Sequence, residues 1–222
     1  MEEMEKNYWL GRWERGETGW HQSEVEPALV QWMDGKPPSR VFVPLCGKTK
    51  DMKWLLDQGH TVVGCELSLQ ACEAFFSENK IDFTTEPHSG FTLFKGERIR
   101  IFGGDFFSLS SSEVGAIDRL YDRAALIALP NETRVRYARH LLALITPSTK
   151  NPDFEFLQII LERTPSDTQG PPFSISPEEI RTHYESRFEI GEISREKVDA
   201  TSPVGSSTVE HVFRLRANAK PD

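Results

Sequence analysis

Apolar residues along this chain fall into short continuous runs separated by stretches with helical spacing, and that alternation sets the expected elements. Val41-Phe42-Val43 is a short β-prone run, followed by the loop Pro44-Leu45-Cys46-Gly47-Lys48-Thr49. Met52, Leu55 and Leu56 then recur at helical spacing, with Gly59 as a stop signal. Thr61-Val62-Val63-Gly64-Cys65 reads as a second buried strand ending at Glu66, and Ser68 is placed to cap a helix carrying Ala71, Phe75 and Phe76. Beyond residue 79 the pattern weakens. Ile99-Arg100-Ile101-Phe102 predicts a third strand, running into Gly103-Gly104-Asp105-Phe106, and 117–121 and 154–161 predict a fourth and a fifth. Between those two, Asn131 is the expected cap of a helix carrying Val135, Ala138, Leu141, Leu142 and Ile145. Ser176-Pro177-Glu178-Glu179 combines an N-cap, a proline at the first helical position and a glutamate at the third, so a helix should begin there. The runs 188–193 and 208–215 are expected to pair as a terminal antiparallel hairpin. Upstream, Ser23 with Glu26 forms a capping-box pattern that predicts a helix over 24–33. Strands alternating with helices imply an α/β fold, with a mostly parallel sheet covered on both faces and an antiparallel edge.

The chain has 222 residues, of which 38% are hydrophobic and 27% charged, values of a globular protein. One domain over 1–222 is expected, because domains usually run to roughly 100–200 residues. A formal charge of −8 argues against a nucleic-acid partner. No apolar run approaches the roughly 20 residues of a membrane helix, and the acidic start MEEMEKNYW has no signal-peptide core, so a cytoplasmic protein with no membrane contact is expected. The three cysteines, Cys46, Cys65 and Cys72, form no C-x-x-C pair and read as buried small hydrophobes. The six histidines show no ligand spacing, so no metal is expected.

Candidate chemistry lies at the strand ends. In doubly wound sheets ligands bind beyond the carboxyl ends of the strands. Here the first strand runs into Leu45-Cys46-Gly47, the second stops at Glu66 and the third at Asp105. Glu66 lies 19 residues after Gly47, near the roughly 20-residue spacing at which an acid meets a ribose in dinucleotide folds. The first loop carries one glycine rather than G-x-G-x-x-G, so it offers no path for a pyrophosphate, and a nicotinamide cofactor is disfavoured. A ribosylated cofactor without phosphates fits better, and S-adenosylmethionine is the expected one. Residues 1–23 hold three of the five tryptophans, Trp9, Trp13 and Trp20. They either staple the N-terminal segment to the core or form a lid over a ligand, and the two roles are compatible.

Three longer segments, VFVPLCGKTKDMKWLLDQGHTVVGCELS, YDRAALIALP and GPPFSISPEEI, resemble the thiopurine S-methyltransferase family in order and spacing over about residues 7–216. The resemblance implies a seven-stranded, mostly parallel doubly wound sheet with an antiparallel C-terminal strand, the class I methyltransferase fold. It also implies S-adenosyl-L-methionine as donor and a small aromatic or heterocyclic thiol as acceptor. By the same resemblance Trp13 lies over the cofactor with Trp9 nearby, Leu45 contacts it, Glu66 takes the ribose hydroxyls, and Asp105-Phe106 fall where the adenine is held. Arg123 borders cofactor and acceptor sulfur and is the candidate catalytic residue, and Trp20 lines the acceptor pocket. A monomer is expected. Inorganic sulfur, selenium, tellurium or halide acceptors, or a non-catalytic S-adenosylmethionine-binding module, are the competing readings. One departure stands out. Residues 201–207 carry no basic residue, whereas mammalian members of the family carry an arginine there. Neutral or small thiols should therefore be favoured over carboxylated ones, unless another cation, Arg12 or Arg123, does that work.

Overall fold

The computed structural model describes residues 3–164, 170–198 and 207–218. It divides into two compact units, residues 1–117 and 118–222. In the first unit, helix α1 (Glu3–Glu14) and helix α2 (Pro27–Met33) precede β1 (Arg40–Pro44), α3 (Lys50–Asp57), β2 (Thr61–Glu66) and α4 (Leu69–Glu78). Then come β3 (Thr84–His88), β4 (Phe91–Lys95), β5 (Ile99–Gly103) and the short α5 (Ser111–Val114). The sheet order is β3-β4-β5-β2-β1, with β1, β2 and β5 parallel and the β3–β4 pair antiparallel. The parallel strands are buried along nearly their whole length, which is why they read as continuous apolar runs.

In the second unit, β6 (Arg119–Arg123) is followed by α6 (Asn131–Ile145), β7 (Glu155–Arg163), α7 (Pro177–Tyr184), β8 (Phe188–Lys197) and β9 (Thr208–Ala217). β6 and β7 are parallel, and β9 runs antiparallel between β7 and β8. Among the described residues no helix is long and apolar enough to cross a membrane.

The fold is therefore α/β with mixed strand pairing, but the described residues hold nine strands, five in the first unit and four in the second, rather than the expected seven. The β3–β4 hairpin is the addition the sequence pattern did not reveal. β3 reads TTEPH and is exposed over most of its length, so it carries no apolar alternation. Its turn, Ser89-Gly90, has positive φ at both positions (48° and 87°), the geometry that matches strand twist in a two-residue hairpin. The hairpin lies at the edge, paired along its backbone from Thr84–Lys95 to His88–Phe91, with an exposed diagonal Lys95–Glu86 ion pair on it.

Helix starts follow the caps with two corrections, the first at α6, where Asn131 is the first helical residue and the N-cap position belongs to Pro130, which makes no side-chain cap bond. Ser68 and Ser176 accept from the amides of Ala71 and Glu179 as expected. The second helix begins at Pro27, not near 24: Glu26 caps it by accepting from Ala28 N at 3.2 Å, while the Glu26 amide is held by Asp51 Oδ1 at 2.9 Å. Proline at the first helical position overrides the Ser23 pattern, because its missing N–H costs nothing there.

Candidate active site

The centre of the first unit's site is Glu66, the last residue of β2 and only 6% exposed. Its Oε2 accepts from Gly47 N at 2.7 Å and its Oε1 from Ser68 N at 2.8 Å. One carboxylate thus ties the loop after β1 to the start of α4. Burial pushes the Glu66 carboxyl above its ordinary range, against the pull of the Ser68, Gly47 and Leu67 amides. A carboxylate has about four lone-pair sites, so beyond these amides Glu66 keeps capacity to accept from a ligand hydroxyl.

The loop after β1 is shaped for close approach. Leu45 has φ 44° and Gly47 φ 52°. Positive φ is uncommon outside glycine, so Leu45 stores strain at the strand end, where such strain collects at functional sites. A Cβ on Gly47 would lie 3.3 Å from Cζ2 of Trp13. That contact places the indole of Trp13 (7% exposed) on the loop whose amide binds Glu66. Trp13 meets Trp20 edge-on at 5.5 Å, and Trp20 meets Trp9 at 5.2 Å. The expected staple is present: α1 and the turn after it carry three interlocked indoles against the strand-end loop.

A second link was not legible in the sequence. Asp105, just beyond β5, accepts from Phe107 N at 3.1 Å and pairs with Lys6 of α1 at 2.8 Å. Burial raises the Asp105 carboxyl, but the Lys6 ammonium and the Phe107 amide outweigh it and hold the group below its ordinary range. Lys6 titrates higher than usual for the same reason. No motif marks Lys6; only the folded position of α1 brings it to Asp105. The neighbouring Phe106 ring is in the core, 1% exposed. Cys46, Cys65 and Cys72 are free and buried, and burial pushes their thiols well above the ordinary range, which removes them as nucleophiles at neutral pH.

In the second unit, β6 ends at Arg123, which is half-buried, and Ala124 beyond it has φ 64°. Here too a non-glycine residue takes the left-handed region directly after a strand. Asp122, one position earlier, points to the other face and is fully buried, with Tyr137 Oη donating to Oδ2 at 2.7 Å. Burial lifts its carboxyl to about 6, with Tyr137 opposing only in part. The turn after Arg123 also receives the GPPF segment: Phe173 N donates to Ile127 O at 2.7 Å, and Arg163 Nη1 to Pro172 O at 2.8 Å. Two segments well apart in the chain, at Ile127 and Phe173, therefore meet beyond this strand end. Residues 199–206, and with them nearly all of the loop without a basic residue, lie outside the described residues.

The description "Thiopurine S-methyltransferase (TPMT)" matches residues 4–218 and so spans both units. A protein of Nitrosospira multiformis named thiopurine S-methyltransferase is 38% identical over 203 residues, covering 90% of each chain. One of Marinobacter nauticus with the same name is 38% identical over 221 residues, covering 96% of this chain and 99% of the relative. Among solved structures, the 1,6-didemethyltoxoflavin-N1-methyltransferase of Burkholderia thailandensis, with bound 1,6-didemethyltoxoflavin and S-adenosylhomocysteine, superposes with a TM-score of 0.62. It is 16% identical, covers 96% of this chain and 87% of its own, and is similar in fold alone. A carboxylate at the end of β2 with lone pairs to spare, under an aromatic cover, suits an adenosyl donor. With a family match along almost the whole chain, the protein belongs to the thiopurine S-methyltransferase family and is an S-adenosylmethionine-dependent methyltransferase.

Proposed function

We propose that the chain methylates the sulfur of aromatic and heterocyclic thiols, thiopurines among them. The observation that supports this reading is the aromatic wall: Trp9, Trp13 and Trp20 interlock on the loop whose Gly47 amide holds Glu66. A flat ring is the acceptor such a wall suits, by offset or edge-on contact. The names of the relatives agree with it.

S-adenosylmethionine supplies a methyl group already attached to an excellent leaving group. The chain's own work is then to bind, align and exclude water. Glu66 holds the ribose hydroxyls, Leu45 packs against the donor, and Asp105 with Phe106 borders the adenine. The indoles of Trp9 and Trp13 exclude water and face a sulfonium charge, an attraction of about 0.5–2 kcal/mol. Alignment of two bound reactants supplies a further several kcal/mol. Heteroaromatic thiols ionise near neutral pH, so no general base is needed. Arg123, charged at every working pH, raises the thiolate fraction at the acceptor sulfur. Trp20 stacks on the acceptor ring.

The test is turnover with methyl-labelled donor across thiophenol, a thiopurine, sulfide, thiocyanate, iodide and a selenium oxyanion. The arenethiols should give the highest kcat/KM. A clear preference for an inorganic acceptor would replace the reading, and donor binding without turnover on any acceptor would point to a binding module.

A further inference from the structure

Arg12 is held by neutral groups and by aromatic rings. Its Nη1 donates to Tyr8 Oη at 3.0 Å and its Nε to the Glu17 carbonyl oxygen at 3.0 Å, both neutral acceptors. Its Cζ lies 4.9 Å from the centroid of Trp20 and 5.8 Å from that of Tyr8, so the guanidinium is layered on two rings. The nearest carboxylate, Glu17, is 3.9 Å from Nε and is engaged bidentately by Arg15 at 2.9 and 3.0 Å. A charge fixed in position, with N–H donors beyond the two it has spent, and with its neighbouring carboxylate committed elsewhere, is preorganised for an anion. The place matters as much as the chemistry. Arg12 touches Trp20, Trp20 touches Trp13, and Trp13 packs on Gly47, so the cation stands two rings from the loop that holds Glu66.

We propose that Arg12 is a specificity-determining residue that receives an anionic substituent, a carboxylate in the first instance, of an aromatic acceptor stacked against Trp20. The assignment of the acceptor to Trp20 rests on the proposed function. The expected preference for neutral thiols then gives way to acceptance of carboxylated ones. Arginine suits the task because its planar fork meets a carboxylate through two N–H groups at once.

Binding of methylated products isolates the carboxylate without turnover. Dissociation constants of 2-(methylthio)benzoate and of thioanisole are measured by calorimetry on the full chain saturated with S-adenosylhomocysteine, in wild type, Arg12→Gln and Arg12→Lys. The ratio of the two constants should favour the benzoate in wild type and move about tenfold toward thioanisole in Arg12→Gln, the size of one charge-assisted hydrogen bond. Arg12→Lys should recover part of it. A ratio unchanged by Arg12→Gln, or a wild type that does not bind the benzoate, overturns the proposal. Donor-product affinity measured on the same samples shows that the variants are folded. Turnover of 2-mercaptobenzoate is read separately: tight product binding without methylation would sink the thiol function and leave the anion site standing.

Discussion

The two strand ends that carry the candidate chemistry use a buried carboxyl in opposite ways. At the end of β2, Glu66 is the group proposed to meet the donor, and amides from two loops converge on it. At the end of β6, the buried carboxyl is Asp122, one residue before Arg123, where Tyr137 Oη donates to it and Gln158 and the Ala125 and Leu126 amides also favour its charge. There the exposed chemistry belongs to the next residue, half-buried Arg123. Strand alternation explains the second plan, since successive side chains point to opposite faces. The first plan depends on a strand terminus, where a carboxylate can reach the amides of loops on either side. Burial raises both carboxyls against the pull of loop amides, so the contrast lies in position: Glu66 ends its strand and ties two loops together, whereas Asp122 lies one residue inside its strand, before Arg123.

The N-terminal indoles lie at the first strand end, so removing them should separate the two regions most sharply. Deletion of residues 1–22 strips the three indoles from the β1 loop and the Lys6 ammonium from Asp105. Circular dichroism should show the sheet retained while methyl transfer falls roughly a hundredfold, the scale of lost alignment and admitted water. Full activity in the truncated chain would mean the indoles only pack.

Within the first region, Glu66→Ala should weaken S-adenosylhomocysteine binding by about ten- to a hundredfold, the value of hydrogen bonds to a charged acceptor. Glu66→Gln keeps the shape and one acceptor oxygen and should lose less. Calorimetry on both variants decides, and equal affinity in a folded Glu66→Ala would remove Glu66 from the donor site.

The parallel strands, their loops and Glu66 were legible because fully buried strands are apolar throughout, and because a conformation that demands glycine or a cap leaves a mark in the sequence. Gly47, Ser68 and Ser176 are such marks. The β3–β4 hairpin left none, since an exposed edge strand such as TTEPH is held by backbone pairing that no side-chain pattern records. Helix α1 was equally hidden: most of its residues are not buried, Trp13 alone among them is, and it carries no capping signature. With α1 hidden, Lys6 and the seat of Arg12 on Trp20 could not be foreseen, although the aromatic richness of 1–23 did point to the region. Leu45 and Ala124 show the limit from the other side, because backbone strain at a non-glycine residue has no signature in residue type.

The smallest effect expected is on stability, and it tests whether Asp122 is the supporting acid the comparison makes it. Burial lifts its carboxyl to about 6, above the ordinary value near 3.8, so the native state binds this proton more tightly than the unfolded chain does. The stability it contributes is therefore fully present at low pH and is lost as pH rises through that window, from about 4 to about 6. Asp122→Asn removes the titration while leaving an oxygen to accept from Tyr137. The variant's melting temperature relative to wild type should climb by on the order of 5 °C between pH 4 and pH 7 and then level off. Subtracting the two curves cancels the other titrating groups, which both proteins share. A difference that stays flat across that range would mean that burial does not disfavour the Asp122 charge, and the supporting role given to Asp122 would fall.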